Sequence, residues 1–188
     1  MIGLSLLAFG VAGGMAHGVT SGERFSAAAW RRPRQGSTFG TVRRVYVPAI
    51  NAMLKPPDAA ALVGSSTRAK AMFGCTDPSC CLRGLRDMLE SPVRHFLCQR
   101  VGEVGRLGQI PEQLRPQRFL DQNLRPTTDR ALAASTINWE DTDMANRMQQ
   151  NRKRVDALRV MLGGQAEREP TCTFAQLPLT RAAREARR

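Results

Sequence analysis

The pattern of hydrophobic and polar positions begins with a stretch that carries no charge. Residues 1–22 contain no acidic or basic side chain, and the first charge is Glu23. The apolar run within this stretch, Met1 to Ala12, is shorter than the roughly 20 apolar residues that span a bilayer. It also lacks the positive amino-terminal residues of a signal peptide. The run therefore predicts one buried strand, Ile2 to Val11, that leads into a glycine-rich turn.

Short apolar stretches separated by polar loops follow as far as residue 63. Glu23–Trp30 predicts a short helix, and Thr41–Val47 predicts a strand because it is rich in valine. After this strand we expect short helices at Pro48–Met53 and Ala59–Val63. Asp58 is placed to cap the second of these helices.

Helical periodicity dominates from residue 82 onward. We predict one helix over Leu82–Glu90 and a second that extends to Leu107, for which Ser91 supplies the N-cap and Pro92 the first turn. The apolar residues on one face of the second helix are Val93, Leu97, Val101 and Val104. At about 100° per residue, His95 points nearly opposite this face. Packing of the apolar face therefore does not account for the histidine.

Two more helices are predicted, from Pro111 to Gln122 and from Asp141 to Leu162. The second has the most regular pattern in the chain, with apolar residues at Met144, Met148, Val155, Leu158 and Leu162 and a polar one at Asn151. Gly163 and Gly164 are expected to end it. We predict that it packs against the rest of the domain, and a coiled coil with a partner is the alternative. The arginine-rich end, residues 180–188, predicts a mobile tail.

Composition adds a strong positive charge to this picture. With 42% hydrophobic residues the chain has enough apolar side chains for a core, and 28 Lys plus Arg against 16 Asp plus Glu give a net charge of +12. Such a charge attracts nucleic acid or an acidic surface. A codon bias toward arginine would also account for the scarcity of lysine, but it would not account for the net charge. Our candidates for phosphate contacts are Arg43, Arg44, Arg94 and Arg100.

Cysteines are concentrated in one segment, which we name the cysteine loop (Gly74 to Leu82). Three of the five cysteines lie in it, and an odd, clustered set is not typical of a disulfide framework. Asp77-Pro78 favours a turn that would bring the thiols together, and thiolates with imidazole are preferred zinc ligands. Two ligand sets remain open at this point. They are Cys75, Cys80, Cys81 and His95, or Cys75 and one adjacent cysteine with His95 and Cys98.

The remaining motifs assign no catalysis. His17 lies in a glycine-rich segment that could approach a phosphate or only form a tight turn. The sequence has no P-loop, dinucleotide-binding, zinc-protease or serine-hydrolase motif. We therefore predict no catalytic residue in this chain. Four candidate protein ligands also favour a structural metal over a catalytic one with an open position.

The order of several segments resembles a known family. An apolar run is followed by GGMAHGVTSGERFSAAAW, TVRRVYVPAIN, CTDPSCC and SPVRHFLCQR. This order is similar to the carboxyl-terminal part of the tRNA-guanine transglycosylase superfamily, and most similar to the branch that acts on DNA. The cysteine spacing departs from the family's C-x-C-x-x-C pattern, because this chain has C-x4-C-C.

The resemblance implies an α/β fragment, in which Ile2 to Val11 is the last strand of a TIM-like barrel and a mostly α-helical zinc-binding subdomain follows. Enzymes of the superfamily exchange guanine for a 7-deazaguanine base through an aspartate nucleophile. Their catalytic aspartates lie on barrel strands that this sequence does not contain, so the resemblance implies a truncated or split protein that is not catalytic alone. It also favours Cys75, Cys80, Cys81 and His95 as the zinc ligands.

Four segments are expected on this basis. They are a barrel remnant with a glycine-rich loop (1–40), a zinc-binding subdomain that faces nucleic acid (41–125), a helical extension (126–164) and a flexible basic tail (165–188). The expected partners are DNA or tRNA and a barrel encoded upstream, in the cytoplasm and without a membrane. The alternative function is a free-standing zinc-stabilised nucleic-acid-binding module. An exported protein cleaved near residue 16 is the third hypothesis.

Overall fold

A computed structural model describes residues 2–13 and 43–168, and this part of the chain is mostly α-helical. The helices are α1 (Ile2–Ala8), α2 (Pro56–Gly64), α3 (Thr67–Phe73), α4 (Leu85–Glu90), α5 (Pro92–Gly108), α6 (Arg115–Phe119), α7 (Arg125–Ser135) and α8 (Thr142–Arg168). Two 3-10 turns, Pro48–Ile50 and Glu112–Leu114, and a π-helical turn, Leu120–Leu124, complete the helical elements. The strands β1 (Val45–Val47) and β2 (Ala52–Leu54) form an antiparallel pair.

The prediction of an α/β fragment that starts with a barrel strand is wrong. Residues 2–8 form α1, and the sheet in the described residues has only the two short antiparallel strands. Leu4 and Ala8 are buried one helical turn apart and pack against Leu107 and Phe119. A short apolar run has the same periodicity in a buried strand as in a buried helix. The sequence pattern therefore could not decide between them.

The β1–β2 hairpin replaces the helix predicted over Pro48–Met53. Its connection is the Pro48–Ile50 turn, and Asn51 follows it in the left-handed conformation with φ of 52°. Asparagine tolerates this region better than most residues. Val45, Tyr46 and Val47 are all buried, because α5 and α2 pack against β1.

Two hydrophobic clusters form the interior, and α8 contributes to both. The first joins the hairpin, α2, α3, the cysteine loop and α7 to Met144 and Met148 of α8. The second joins α1 to Leu107, Phe119 and Leu162. The predicted periodicity of the long helix is confirmed, since four of its five apolar positions are buried. Asn151 interrupts that pattern because its Nδ2 donates a hydrogen bond to the Ile50 carbonyl at 3.0 Å.

Several predicted helix ends differ from the observed ones. Gly163 and Gly164 do not stop α8, which continues to Arg168; an interior glycine costs only about 1 kcal/mol. Asp58 does not cap α2, whose N-cap is Lys55, and instead forms an ion pair with Arg147 of α8. α3 was not predicted, and α7 was predicted only as part of the helical extension over 126–164. Ser66 is the N-cap of α3, and its hydroxyl accepts a hydrogen bond from the Ala69 amide at 3.0 Å.

The predicted buried face of α5 is also wrong. Val93 and Val101 are 48% and 71% exposed, whereas His95, Phe96, Arg100 and Glu103 are buried. The polar residues point inward because they make specific contacts with β1 and with each other. Hydrophobic periodicity alone assigns such a helix to the opposite face.

Some predictions lie outside the described residues. These are the Glu23–Trp30 helix, the glycine-rich segment with His17 and the tail at 180–188. Within residues 2–13 and 43–168, no helix is long and apolar enough to cross a membrane.

Candidate metal centre

The cysteine loop folds around Asp77. The Asp77 carboxylate accepts hydrogen bonds from the Ser79 amide and hydroxyl at 2.9 and 2.6 Å. The backbone carbonyl of Asp77 accepts hydrogen bonds from the Cys80 and Cys81 amides at 3.2 and 2.8 Å. These bonds close the predicted turn and aim two consecutive cysteines at one point. The pKa of Asp77 is lowered, first by the side-chain hydrogen bond from Ser79, so the carboxylate is ionised and holds the turn at neutral pH.

Cys75, Cys80, Cys81 and His95 converge on that point. Their ligand atoms all lie within 4.8 Å of one another. The Sγ atoms of Cys80 and Cys81 are 3.6 Å apart, and each is 3.3 Å from His95 Nδ1. In a tetrahedral zinc site with the usual bond lengths, two sulfurs are about 3.8 Å apart and a sulfur and a nitrogen about 3.5 Å. The spacing of these four residues therefore fits a metal ion, and they could bind one.

A hydrogen bond to the backbone of β1 fixes the orientation of the His95 ring. His95 is 1% exposed, and its Nε2 lies 2.9 Å from the Tyr46 carbonyl of β1. A carbonyl only accepts, so Nε2 carries the proton and Nδ1 presents its lone pair to the thiols. Burial lowers the pKa of His95, although the Tyr46 hydrogen bond opposes that change. The imidazole is therefore neutral, as a metal ligand must be.

The thiol of Cys81 is stabilised in its neutral form by its surroundings. Burial raises the pKa of Cys81, and the neighbouring Cys80 raises it further. Thiolates packed this closely repel one another and lack solvent, so a cation at their centre would remove both penalties. Gln99 of α5 adds an outer contact, since its Nε2 donates to Cys75 Sγ at 3.5 Å. Sequence reasoning missed Gln99 because its type does not mark it.

Cys98 lies next to the cluster but outside it. Its side chain is half-buried, and burial together with the adjacent Cys80 raises its pKa. The structure thus brings together the first predicted set, Cys75, Cys80, Cys81 and His95, and does not include Cys98. Carboxylates near the loop are already engaged, because Asp87 accepts hydrogen bonds from the Arg83 amide and Nε at 2.8 and 2.7 Å.

A second buried polar group, which the sequence did not reveal, lies one turn farther along α5. Arg100 Nη1 and Glu103 Oε2 are 2.7 Å apart with side chains 3% and 9% exposed. The Tyr46 hydroxyl donates to Glu103 Oε1 at 2.9 Å, and the Arg100 guanidinium lies 4.7 Å from the centre of the Tyr46 ring. Tyr46 therefore contacts both this ion pair and His95.

The four arginines predicted to contact phosphate lie in different environments. Arg43 and Arg94 are exposed, Arg44 is half-buried, and Arg100 is buried. Arg94 lies beside the cysteine loop, where its Nη2 donates to the Ser79 carbonyl at 3.4 Å. Their contacts with phosphate remain a prediction, and burial makes Arg100 the weakest candidate of the four.

Comparison with known proteins gives no assignment. The chain matches no protein-family model, and no curated protein or solved structure is similar enough to count as a match. The transglycosylase resemblance therefore stays a prediction, and the function has to be argued from the residues of this chain.

Proposed function

We propose that this chain is a helical nucleic-acid-binding module in which a structural zinc ion fixes the cysteine loop to α5. The observation that supports it most directly is the convergence of the two thiols of Cys80 and Cys81 on His95 Nδ1, each at 3.3 Å. The opposite nitrogen of that imidazole is already bound to the Tyr46 carbonyl. Such an outer partner is typical of a metal-binding histidine.

The ligand set favours zinc and a closed site. Three thiols with one imidazole suit zinc better than magnesium or calcium, which prefer oxygen ligands. Four protein ligands leave no coordination position for water or substrate, which is typical of a structural zinc site. We therefore assign the metal a role in folding and assign this chain no catalytic residue.

Metal analysis of the purified full-length protein tests this assignment. We expect one zinc per chain, lost in Cys75→Ser and His95→Ala and retained in Cys98→Ser, because Cys98 lies outside the cluster. Cys98→Ser is the matched control, because it makes the same chemical change as Cys75→Ser and lies on the same helix as His95. A metal-free wild-type protein that melts cooperatively and ignores chelator would contradict the proposal.

Metal affinity should fall steeply as the pH is lowered. A free thiol has a pKa of roughly 8.5, so three cysteines must each release a proton on binding zinc, whereas the neutral His95 releases none. We expect about three protons released per zinc at pH 7, and an apparent affinity that rises by up to about a thousandfold per pH unit below the thiol pKa. Calorimetry in buffers of different ionisation enthalpy measures this number. Release of one proton or fewer would exclude three thiolate ligands.

Positive charge supports the nucleic-acid part of the proposal. The net charge is +12, and arginine in particular forms bidentate contacts with phosphate. Contacts of this kind release counterions, so affinity for a strand should fall linearly on a logarithmic salt scale. The exposed Arg94 beside the cysteine loop would place one such contact close to the metal.

A second candidate function rests on the transglycosylase resemblance. Two of the segments that carry it, CTDPSCC and SPVRHFLCQR, supply the four clustered ligands. On this interpretation the module serves a base-exchange enzyme whose catalytic barrel is a separate unit. Sequencing the genomic DNA upstream of Met1 tests it, because a barrel-coding stretch in frame or in an adjacent gene would support it. Unrelated neighbours would count against it.

A further inference from the structure

A cavity of about 640 Å³ opens beside the buried ion pair of α5. Its wall is formed by α5, the π-helical turn and α7, with Leu4 of α1 and residues of the Pro48–Ile50 turn. This volume falls within the range of roughly 300 to 1,000 Å³ that small-molecule sites occupy. The zinc proposal does not use this cavity.

Charge on the cavity wall is positive. Arg100 and Glu103 line it but neutralise each other through their ion pair. Arg106 of α5 and Arg130 of α7 also line it, both are exposed, and neither forms an ion pair with a residue in the ranges 2–13 and 43–168. Two arginines from different helices, on a wall whose other lining charges cancel, are suited to bind an anion.

The rest of the wall is divided between hydrogen-bonding and apolar groups. Gln122, Asn123 and Thr127 supply neutral polar side chains, while the half-buried Met72 and Ile110 supply apolar surface. A phosphate alone would use only the arginines. A ligand that also carries a flat, partly apolar group with hydrogen-bonding edges would use the whole cavity, and a nucleotide has this combination.

We propose that this cavity binds one nucleotide, with its phosphate between Arg106 and Arg130 and its base against the apolar wall. The inference rests on the proposed function and makes it more specific, since it gives one nucleotide of a nucleic-acid strand a defined binding site. The same chemistry would also admit a free nucleotide, and the experiment below separates these two sources.

The cavity is connected to the metal centre through the cysteine loop. Gly74 and Thr76 line the cavity, and they flank the metal ligand Cys75. Gly74 lies against the Lys70 carbonyl so closely that a Cβ would be 2.6 Å from it. Removal of zinc should therefore deform this wall and weaken nucleotide binding in the otherwise unaltered protein.

Binding of a fluorescent single-stranded oligonucleotide to the zinc-loaded full chain tests the proposal. We expect Arg106→Gln and Arg130→Gln each to weaken binding about five- to tenfold and to reduce the salt slope by about 1. Arg159→Gln is the matched control, because it removes the same charge from an exposed position on α8 that does not line the cavity. Zinc content and melting temperature confirm that each variant is folded.

Competition then separates a nucleotide site from a plain anion site. A nucleoside 5′-monophosphate should displace the strand, and inorganic phosphate at the same concentration should not. Equal competition by phosphate, or pocket variants that bind no more weakly than Arg159→Gln, would overturn the nucleotide assignment while leaving the zinc module intact. If the wild type binds the mononucleotide but no strand, and Arg106→Gln abolishes that binding, the cavity assignment holds and the nucleic-acid function fails.

Discussion

Substitution of Cys80 by serine should lower the free energy of unfolding of the zinc-loaded protein by at least about 5 kcal/mol. Structural zinc sites contribute roughly 10 kcal/mol or more of apparent binding free energy, and this becomes folding free energy when the unfolded chain binds no metal. Cys80 also belongs to the first hydrophobic cluster and is 3% exposed. Loss of the ligand therefore removes both the metal and a well-packed thiol.

Chemical denaturation with and without chelator measures this effect. Chelation of the wild type should lower its free energy of unfolding by nearly as much as Cys80→Ser does. The reason is that loss of the metal accounts for most of the destabilisation in that variant. Cys98→Ser should change stability by less than about 1 kcal/mol, since Cys98 is half-buried and outside the cluster. Hydrogen exchange should show the cysteine loop losing protection before α5. Wild-type stability that does not respond to chelator would contradict a structural metal.

Substitution of Glu103 by alanine should lower the free energy of unfolding by about 3 to 5 kcal/mol. Glu103 accepts from Arg100 at 2.7 Å and from the Tyr46 hydroxyl at 2.9 Å. Without the carboxylate, the buried Arg100 guanidinium loses its 2.7 Å contact with Glu103, and removal of one member of a buried ion pair is strongly destabilising. The Tyr46 hydroxyl would lose its shorter hydrogen bond and keep the one to Asn51 Oδ1 at 3.3 Å.

The double variant Arg100→Met with Glu103→Leu distinguishes the mechanism. Apolar side chains of similar size often replace a buried ion pair at little cost, so we expect the double variant to be more stable than Glu103→Ala. Equilibrium unfolding of the single and double variants gives the coupling between the two positions. An equal loss of unfolding free energy in Glu103→Ala and in the double variant would mean that side-chain shape, rather than charge, makes position 103 sensitive.

The candidate metal ligands Cys75, Cys80, Cys81 and His95 could be predicted from the sequence because residue type alone marks them. Cysteines close together in a loop with a following histidine are typical of a metal site, and the turn at Asp77 was predictable from its Asp-Pro pair. The choice between Cys81 and Cys98 was not predictable, because it depends on how the backbone aims two consecutive side chains. Tyr46 was also missed as the partner of His95, since its contact is made by a backbone carbonyl that any residue would provide.

The long helix α8 was predictable for a different reason. Its apolar positions recur over several turns, and a pattern of that length has only one consistent secondary structure. α1 offered too few residues to make this distinction, and its run was therefore assigned to a strand. The buried face of α5 was predicted wrongly, because it contains a histidine, an arginine and a glutamate. Their contacts with Tyr46, which is distant in the sequence, could not be read from the helix itself.

The position of α8 across both hydrophobic clusters has a consequence for local opening of the fold. Met148 lies in the first cluster and Leu162 in the second, about 21 Å apart at 1.5 Å per residue. The second cluster contains none of the four candidate metal ligands, so opening of α1 and the end of α8 would leave the candidate metal centre in place. We therefore expect these segments to open together and to exchange their amide protons while the hairpin and the cysteine loop stay protected.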